Sequence, residues 1–131
     1  MEIREKFENL TVDEYTSVDP ITIAPDINVL TARNLMKSNN IRHIPVVEDG
    51  IGIGLISDRD IRRLDEEQLP KTSVKDVMID EPFTVRSNAP LKEVVFEMSQ
   101  KKIGSALVND ENERLYGIFT STDALNSIIE Q

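Results

Sequence analysis

No cysteine occurs among the 131 residues, and histidine occurs once. A disulfide framework, a cysteine-held zinc ion and a thiol nucleophile are therefore excluded, and a site needing several histidines cannot be built. No metal site is expected. Long apolar runs are missing too: nothing approaches the roughly 18 residues of a membrane-spanning helix. The opening MEIREKFENL mixes charges and lacks the apolar centre of a secretory signal. A cytoplasmic protein with no membrane partner is the expectation. Positive charge is scarce, with 15 Lys and Arg against 24 Asp and Glu, for a net charge of -9. On average such a chain repels phosphodiester backbones, so nucleic acid is not an expected partner.

What the chain does contain is itself, twice. Sliding it by 62 residues aligns Val12 with Val74, Pro20 with Pro82, Thr22 with Thr84, Met36 with Met98, Ile41 with Ile103 and Val46 with Val108. After one inserted residue the match resumes at a shift of 63: Gly54 meets Gly117, Ser57 meets Thr120 and Asp60 meets Asp123. Identity is low, but apolar runs, turns and polar landmarks keep their order, which is the signature of a structural repeat. The copies span residues 10–69 and 72–131. Residues 1–9 precede them. Ile3, Phe7 and Leu10 are spaced either for a docking or dimer-contact turn or within a loosely ordered terminus.

Each copy predicts the order β-α-β-β-α. A short strand after a proline (Ile21 to Ile23; Phe83 to Val85) leads to a helix with an N-cap at Asp26 or Asn88. Val29, Ala32, Leu35 and Met36 share one face of the first helix, and Leu91, Val94, Val95 and Met98 one face of its counterpart. Two apolar runs follow, Ile44 to Val47 and Ile51 to Ile56 across the hairpin signal Asp49-Gly50, then Ser105 to Val108 and Leu115 to Phe119 across NDENE. A last helix closes each copy, Asp60 to about Gln68 and Asp123 to Ile129. A unit of about 60 residues buries too little surface to stand comfortably alone. With a linker as short as Gln68 to Ser73, the two copies are expected to fold as one module. The fold class is α/β in the α+β sense.

The strings that carry chemistry are GLISDRD (Gly54 to Asp60) and GIFTSTD (Gly117 to Asp123), each where a strand ends and a helix begins. A hydroxyl residue three before an acidic one at a helix start makes a capping box. The same place suits a nucleotide: first-turn amides attract phosphate, and a carboxylate accepts from vicinal ribose hydroxyls. The recurrence of the string in both copies, together with Thr22 and Thr84 on the matching first strands, favours a ligand, since capping does not require those threonines.

With P-h-T-h (h, apolar) as PITI and PFTV, I-x-x-h-P-V-V as IRHIPVV, and G-h-h-S/T-x-x-D twice, about 120 of the 131 residues resemble a tandem pair of CBS domains. The resemblance implies two βαββα repeats packed face to face about a pseudo-twofold axis, with two clefts that commonly take AMP, ADP or ATP, and in some members S-adenosylmethionine. Carried onto this chain, one cleft uses Thr84, Gly104, Ser105 and Ala106 with Ser57, Arg59 and Asp60. The other uses Thr22, Arg42, His43 and Ile44 with Thr120, Thr122 and Asp123. In members that hold phosphates, basic side chains stand on the second strand of the copy that supplies the aspartate. Arg42 and His43 stand there in copy one, with Arg59 and Arg62 nearby, while copy two has Gly104, Ser105 and Thr122. The Asp60 cleft is accordingly the one expected to bind the phosphorylated nucleotide. Copy two departs from the pattern with Leu107 where copy one has Pro45.

The expected function is reversible ligand sensing without catalysis, in a homodimer that uses the stripe Val94, Val95 and Met98, and with a separate effector protein as partner. The alternative is an assembly protein with empty clefts. No pair of carboxylates can be argued into an acid and a base, so enzyme activity is not expected and no cofactor is assigned.

Overall fold

The computed structural model of the protein describes residues 7–130. Along the chain the elements are β1 (Ser17–Val18), α1 (Val29–Asn39), β2 (His43–Glu48), β3 (Ile51–Ser57), α2 (Asp58–Arg62), β4 (Ile79–Asp80), β5 (Thr84–Arg86), α3 (Leu91–Lys101), β6 (Ser105–Asn109), β7 (Leu115–Thr120) and α4 (Ser121–Ile129). Short 3-10 turns lie at Val12–Glu14, Glu66–Lys71 and Val74–Asp76. They form two compact units: a central one, Pro20–Pro82, and a flanking one that joins the described residues up to Asp19 to those from Phe83 onward. The mixed α/β class read from the sequence is observed. Ile3 of the leading turn lies outside the described residues, whereas Phe7 and Leu10 pack half-buried on the core of the flanking unit.

The central unit holds a three-stranded sheet in the order β2-β3-β4. β2 and β3 form the expected hairpin. Asp49 (φ 53°) and Gly50 (φ 80°) both take positive φ, the backbone a tight two-residue turn requires. Val29, Ala32 and Met36 of α1 are buried against Ile44, Val46 and Ile56. The flanking unit has a four-stranded sheet, β1-β7-β6-β5, with Leu91, Val94 and Met98 of α3 packed on Ala106, Val108 and Phe119. Burying each of the larger side chains contributes about 2 kcal/mol, and the two alanines less.

The compact units cut the chain differently from the sequence repeat. β1, at the start of copy one, pairs with β7 of copy two through Ser17 with Ile118 and Val18 with Gly117. β4, at the same point of copy two, pairs with β3 of copy one through Gly54 with Asp80 and Leu55 with Ile79. Each copy thus lends its leading segment to the other's sheet. The glycines of the two motifs make room for it: a Cβ on Gly117 would overlap the carbonyl oxygen of Ser17, and one on Gly54 would overlap the Met78 thioether.

This exchange explains where the sequence reading of the first helices differs. α1 is capped by Asn28, whose side chain accepts from the Thr31 amide, and α3 begins after Pro90. Both starts lie two residues beyond the expected Asp26 and Asn88. In copy one the entry segment is held extended by Val29 N–H to Thr72 O (2.9 Å), Val74 N–H to Ile27 O (2.8 Å) and Lys75 N–H to Pro25 O (2.9 Å). In copy two Leu91 N–H to Leu10 O (2.9 Å), Val12 N–H to Ala89 O (2.9 Å) and Asp13 N–H to Ser87 O (3.1 Å) do the same. Backbone committed to that ladder cannot enter a helix.

Three further expectations need correction. Of the strand Ile21 to Ile23 only Ile23 bridges β2, at Val46. The closing helix of copy one ends at Arg62, because Asp65 is extended and starts a new 3-10 turn in which Gln68 accepts its N–H at 3.0 Å. The stripe expected at a dimer contact is committed to the core of its own unit, with Val94 2% and Met98 5% exposed; the exposed apolar side chain of α3 is Phe96, at 62%.

Candidate functional site

Both helix starts are built alike. In the central unit Ser57 is the N-cap of α2: its amide donates to Asp60 Oδ2 at 2.9 Å, its hydroxyl to the same oxygen at 2.8 Å, and the Asp60 amide donates to Ser57 Oγ at 3.3 Å. In the flanking unit Thr120 caps α4 with the same three contacts to Asp123, at 2.8, 3.1 and 3.3 Å. The capping box is therefore formed twice. Among the described residues Oδ1 of each aspartate accepts no hydrogen bond, so each half-buried carboxylate keeps one oxygen available.

The first amides of these helices are less available than the sequence suggested. Asp58 N–H donates to Arg42 O at 3.0 Å and Ser121 N–H to Gly104 O at 2.9 Å. With the Asp60 and Asp123 amides on their capping hydroxyls, the first and third positions of each turn are engaged. α2 has five residues, too few for a substantial dipole. The same bonds have a positioning effect: they tie the backbone just before β2 to α2, and that before β6 to α4. Arg42 and His43 are thereby set beside Asp58 and Asp60 in the central unit, and Gly104 and Ser105 beside Ser121 and Asp123 in the flanking one.

Charge separates the units. Arg42 and Arg59 are exposed and, among the described residues, have no ion-pair partner, while Arg62 stands 3.9 Å from Asp58 one turn back. Burial lowers the pKa of His43, with Asp58 and Asp60 opposing and Arg42 reinforcing the shift. His43 is therefore neutral at neutral pH, and the cations of this unit are its arginines and lysines. Of the other expected residues, Thr22 and Thr84 are exposed, as are Gly104 and Thr122. Ile44 (0%) and Ala106 (1%) are core side chains, which leaves only their backbone to face a ligand, and Ser105 is 8% exposed. Ser57, Arg59, Asp60, Arg42, His43, Thr22 and Ile44 belong to the central unit; Thr84, Gly104, Ser105, Ala106, Thr120, Thr122 and Asp123 belong to the flanking unit. Arg33 and Lys37 were not singled out from the sequence. Their signal was two cations four residues apart around Met36, and with Arg42 and Arg62 they line a cavity. Among the described residues no cluster of His, Asp and Glu could hold a metal, and no helix is long and apolar enough to cross a membrane.

The CBS domain family model matches residues 12–67 and 74–130. The CBS domain-containing protein YhcV of Bacillus subtilis is 31% identical over 115 residues, 86% of this chain and 81% of that protein. The CBS domain pair of protein MJ0100, solved with 5'-methylthioadenosine and S-adenosyl-L-methionine, superposes with a TM-score of 0.79 at 28% identity, covering 89% of this chain and 94% of that one. CBSX2 in complex with AMP gives a TM-score of 0.84 at 23% identity, covering 93% and 98%. The chain spans only 20% to 47% of the length of six other curated relatives, several of them named as enzymes. Two tandem family matches over most of its length make this chain a member of the CBS domain family, as a domain pair.

Proposed function

We propose that the protein is a regulatory module that reversibly binds an adenine nucleotide (AMP, ADP or ATP) or a related adenosyl ligand such as S-adenosylmethionine, without turning it over. The observation that carries this reading is the pair of S/T-x-x-D boxes, each holding a carboxylate by one oxygen and leaving the other able to accept from vicinal ribose hydroxyls. Structural relatives solved with AMP, or with methylthioadenosine and S-adenosylmethionine, support the ligand class. The favoured site takes Ser57, Arg59, Asp60, Arg42 and His43, to which the family pattern adds Thr84, Gly104, Ser105 and Ala106. Arg42, Arg59 and Arg62 supply charge for phosphate, where the corresponding residues of copy two are Gly104, Thr122 and Leu125. The second site, around Thr22, Ile44, Thr120, Thr122 and Asp123, takes a less charged ligand or binds more weakly.

Binding to the folded state raises the melting temperature. Millimolar AMP, ATP or S-adenosylmethionine is expected to do so in a thermal-shift experiment; no rise with any of the three contradicts the reading. The alternative, assembly with empty clefts, draws on exposed apolar side chains of the flanking unit: Phe96 at 62%, Leu125 at 60%, Ile128 at 49% and Ile129 at 78%. Leu125, Ile128 and Ile129 share one face of α4. Those side chains also support a homodimer within the leading reading, and sedimentation of the wild type against Phe96→Asp tests it. An effector protein on a separate chain completes the proposal.

A further inference from the structure

The central unit contains a cavity of about 320 Å³ lined by Arg33, Met36, Lys37, Asn40, Ile41, Arg42, Asp58, Ile61 and Arg62. Its floor is apolar: Met36 is 4% and Ile61 5% exposed. Its rim carries four cations, Arg33, Lys37, Arg42 and Arg62, against one carboxylate, Asp58. In a chain with a net charge of -9 that is a local inversion of sign. Existing ion pairs neutralise only part of it. Arg62 lies 3.9 Å from Asp58, a loose exposed pair, and Arg33 Nη1 meets Glu66 at 2.5 Å, while Lys37 and Arg42 have no ion-pair partner among the described residues. Arg33 Nε is buried without any hydrogen-bond acceptor.

The repeat supplies the control. At shifts of 62 and 63 residues most of the floor stays apolar, with Met98 for Met36, Ile103 for Ile41 and the smaller Ala124 for Ile61, but the four cations become Val95, Ser99, Gly104 and Leu125. The unit built from copy two folds without them, so neither helix packing nor the turn before β2 demands positive charge at these positions.

The geometry points to a binding site, contained in the central unit, for a small organic anion: a phosphate or carboxylate group carried on a compact apolar body. The apolar body lies on Met36, Ile41 and Ile61, and the anionic head meets Arg33, Lys37 and Arg42. The site goes beyond the adenosine reading, with which it shares Arg42 and Arg62; neither Ser57 nor Asp60 lines it.

Calorimetric titration of the full chain tests this with phenyl phosphate, benzoate and phenol as probes. At least one of the two anions is expected to bind at one per chain, tenfold or more tighter than phenol, and the preferred anion identifies the head group. Lys37→Glu, an exposed change that leaves the core untouched, and the double variant Arg33→Gln/Lys37→Ala are each expected to weaken that anion tenfold or more and to leave AMP binding unaltered. Asp60→Ala is expected to leave the anion's affinity unaltered. Equal affinity for phenol, unchanged anion binding in folded Lys37→Glu, or loss of anion binding in Asp60→Ala would each overturn the proposal, the last by placing the probe in the adenosine site. Failure of AMP to bind the wild type bears on the adenosine reading alone.

Discussion

At the scale of single residues, the two motif glycines and the lone histidine have consequences that can be measured. Gly117 faces backbone, the Ser17 carbonyl, whereas Gly54 faces first the flexible end of Met78. Gly117→Ala must displace a strand and is expected to cost about 1–3 kcal/mol in denaturant unfolding, while Gly54→Ala, relieved by a rotamer change, costs less. Equal losses would mean that the strand adjusts freely. For His43, burial holds the folded pKa below the ordinary value near 6.5. Between the two values the unfolded chain binds more protons than the folded one, so stability is complete above the unfolded pKa and falls as the pH is lowered through the folded pKa. Unfolding free energy should therefore decline from pH 7 to 5.5 with a slope of at most ~1.4 kcal/mol per pH unit from this group. His43→Gln is expected to flatten that decline, and an unchanged slope would assign it to other groups. The S/T-x-x-D boxes were legible because a capping box is an i to i+3 relation within one stretch of chain. Of the cavity cations Arg42 and Arg62 were legible beside the motif, but Arg33 and Lys37 were not, because they join the other two only once α1 and α2 pack.

At the scale of elements, legibility followed length and locality. The Asp49-Gly50 hairpin and the amphipathic helices repeat their pattern over many residues, and the structure keeps them. β1 and β4 have two residues each, too short for an alternation, and their partners lie in the other copy of the repeat. Missing that exchange moved both first-helix caps by two residues, in the same direction and for one reason. The Val94, Val95 and Met98 stripe shows the related ambiguity of amphipathic patterns: periodicity identifies an apolar face but not what covers it. The exchange predicts that residues 10–13 are held firmly in the flanking unit. Val12 is fully buried, and the Val12 and Asp13 amides bond to Ala89 and Ser87. In native-state hydrogen exchange those two amides are expected to be protected nearly as well as the Val108 and Phe119 amides of the same unit. Exchange at the rate of an unfolded peptide would show that the segment detaches independently.

At the scale of the whole molecule, a repeat that is symmetrical in its capping boxes is asymmetrical in charge. The central unit carries Arg42, Arg59 and Arg62 near Asp60, and the flanking unit carries none of their counterparts near Asp123. Against a net charge of -9, a phosphorylated ligand gains only where cations gather locally. The most direct test is calorimetric titration of AMP and ATP into the wild type, Asp60→Ala and Asp123→Ala. Loss of the tighter binding in Asp60→Ala, with that binding retained in Asp123→Ala, is the predicted result. Retention in Asp60→Ala with loss in Asp123→Ala would contradict the account.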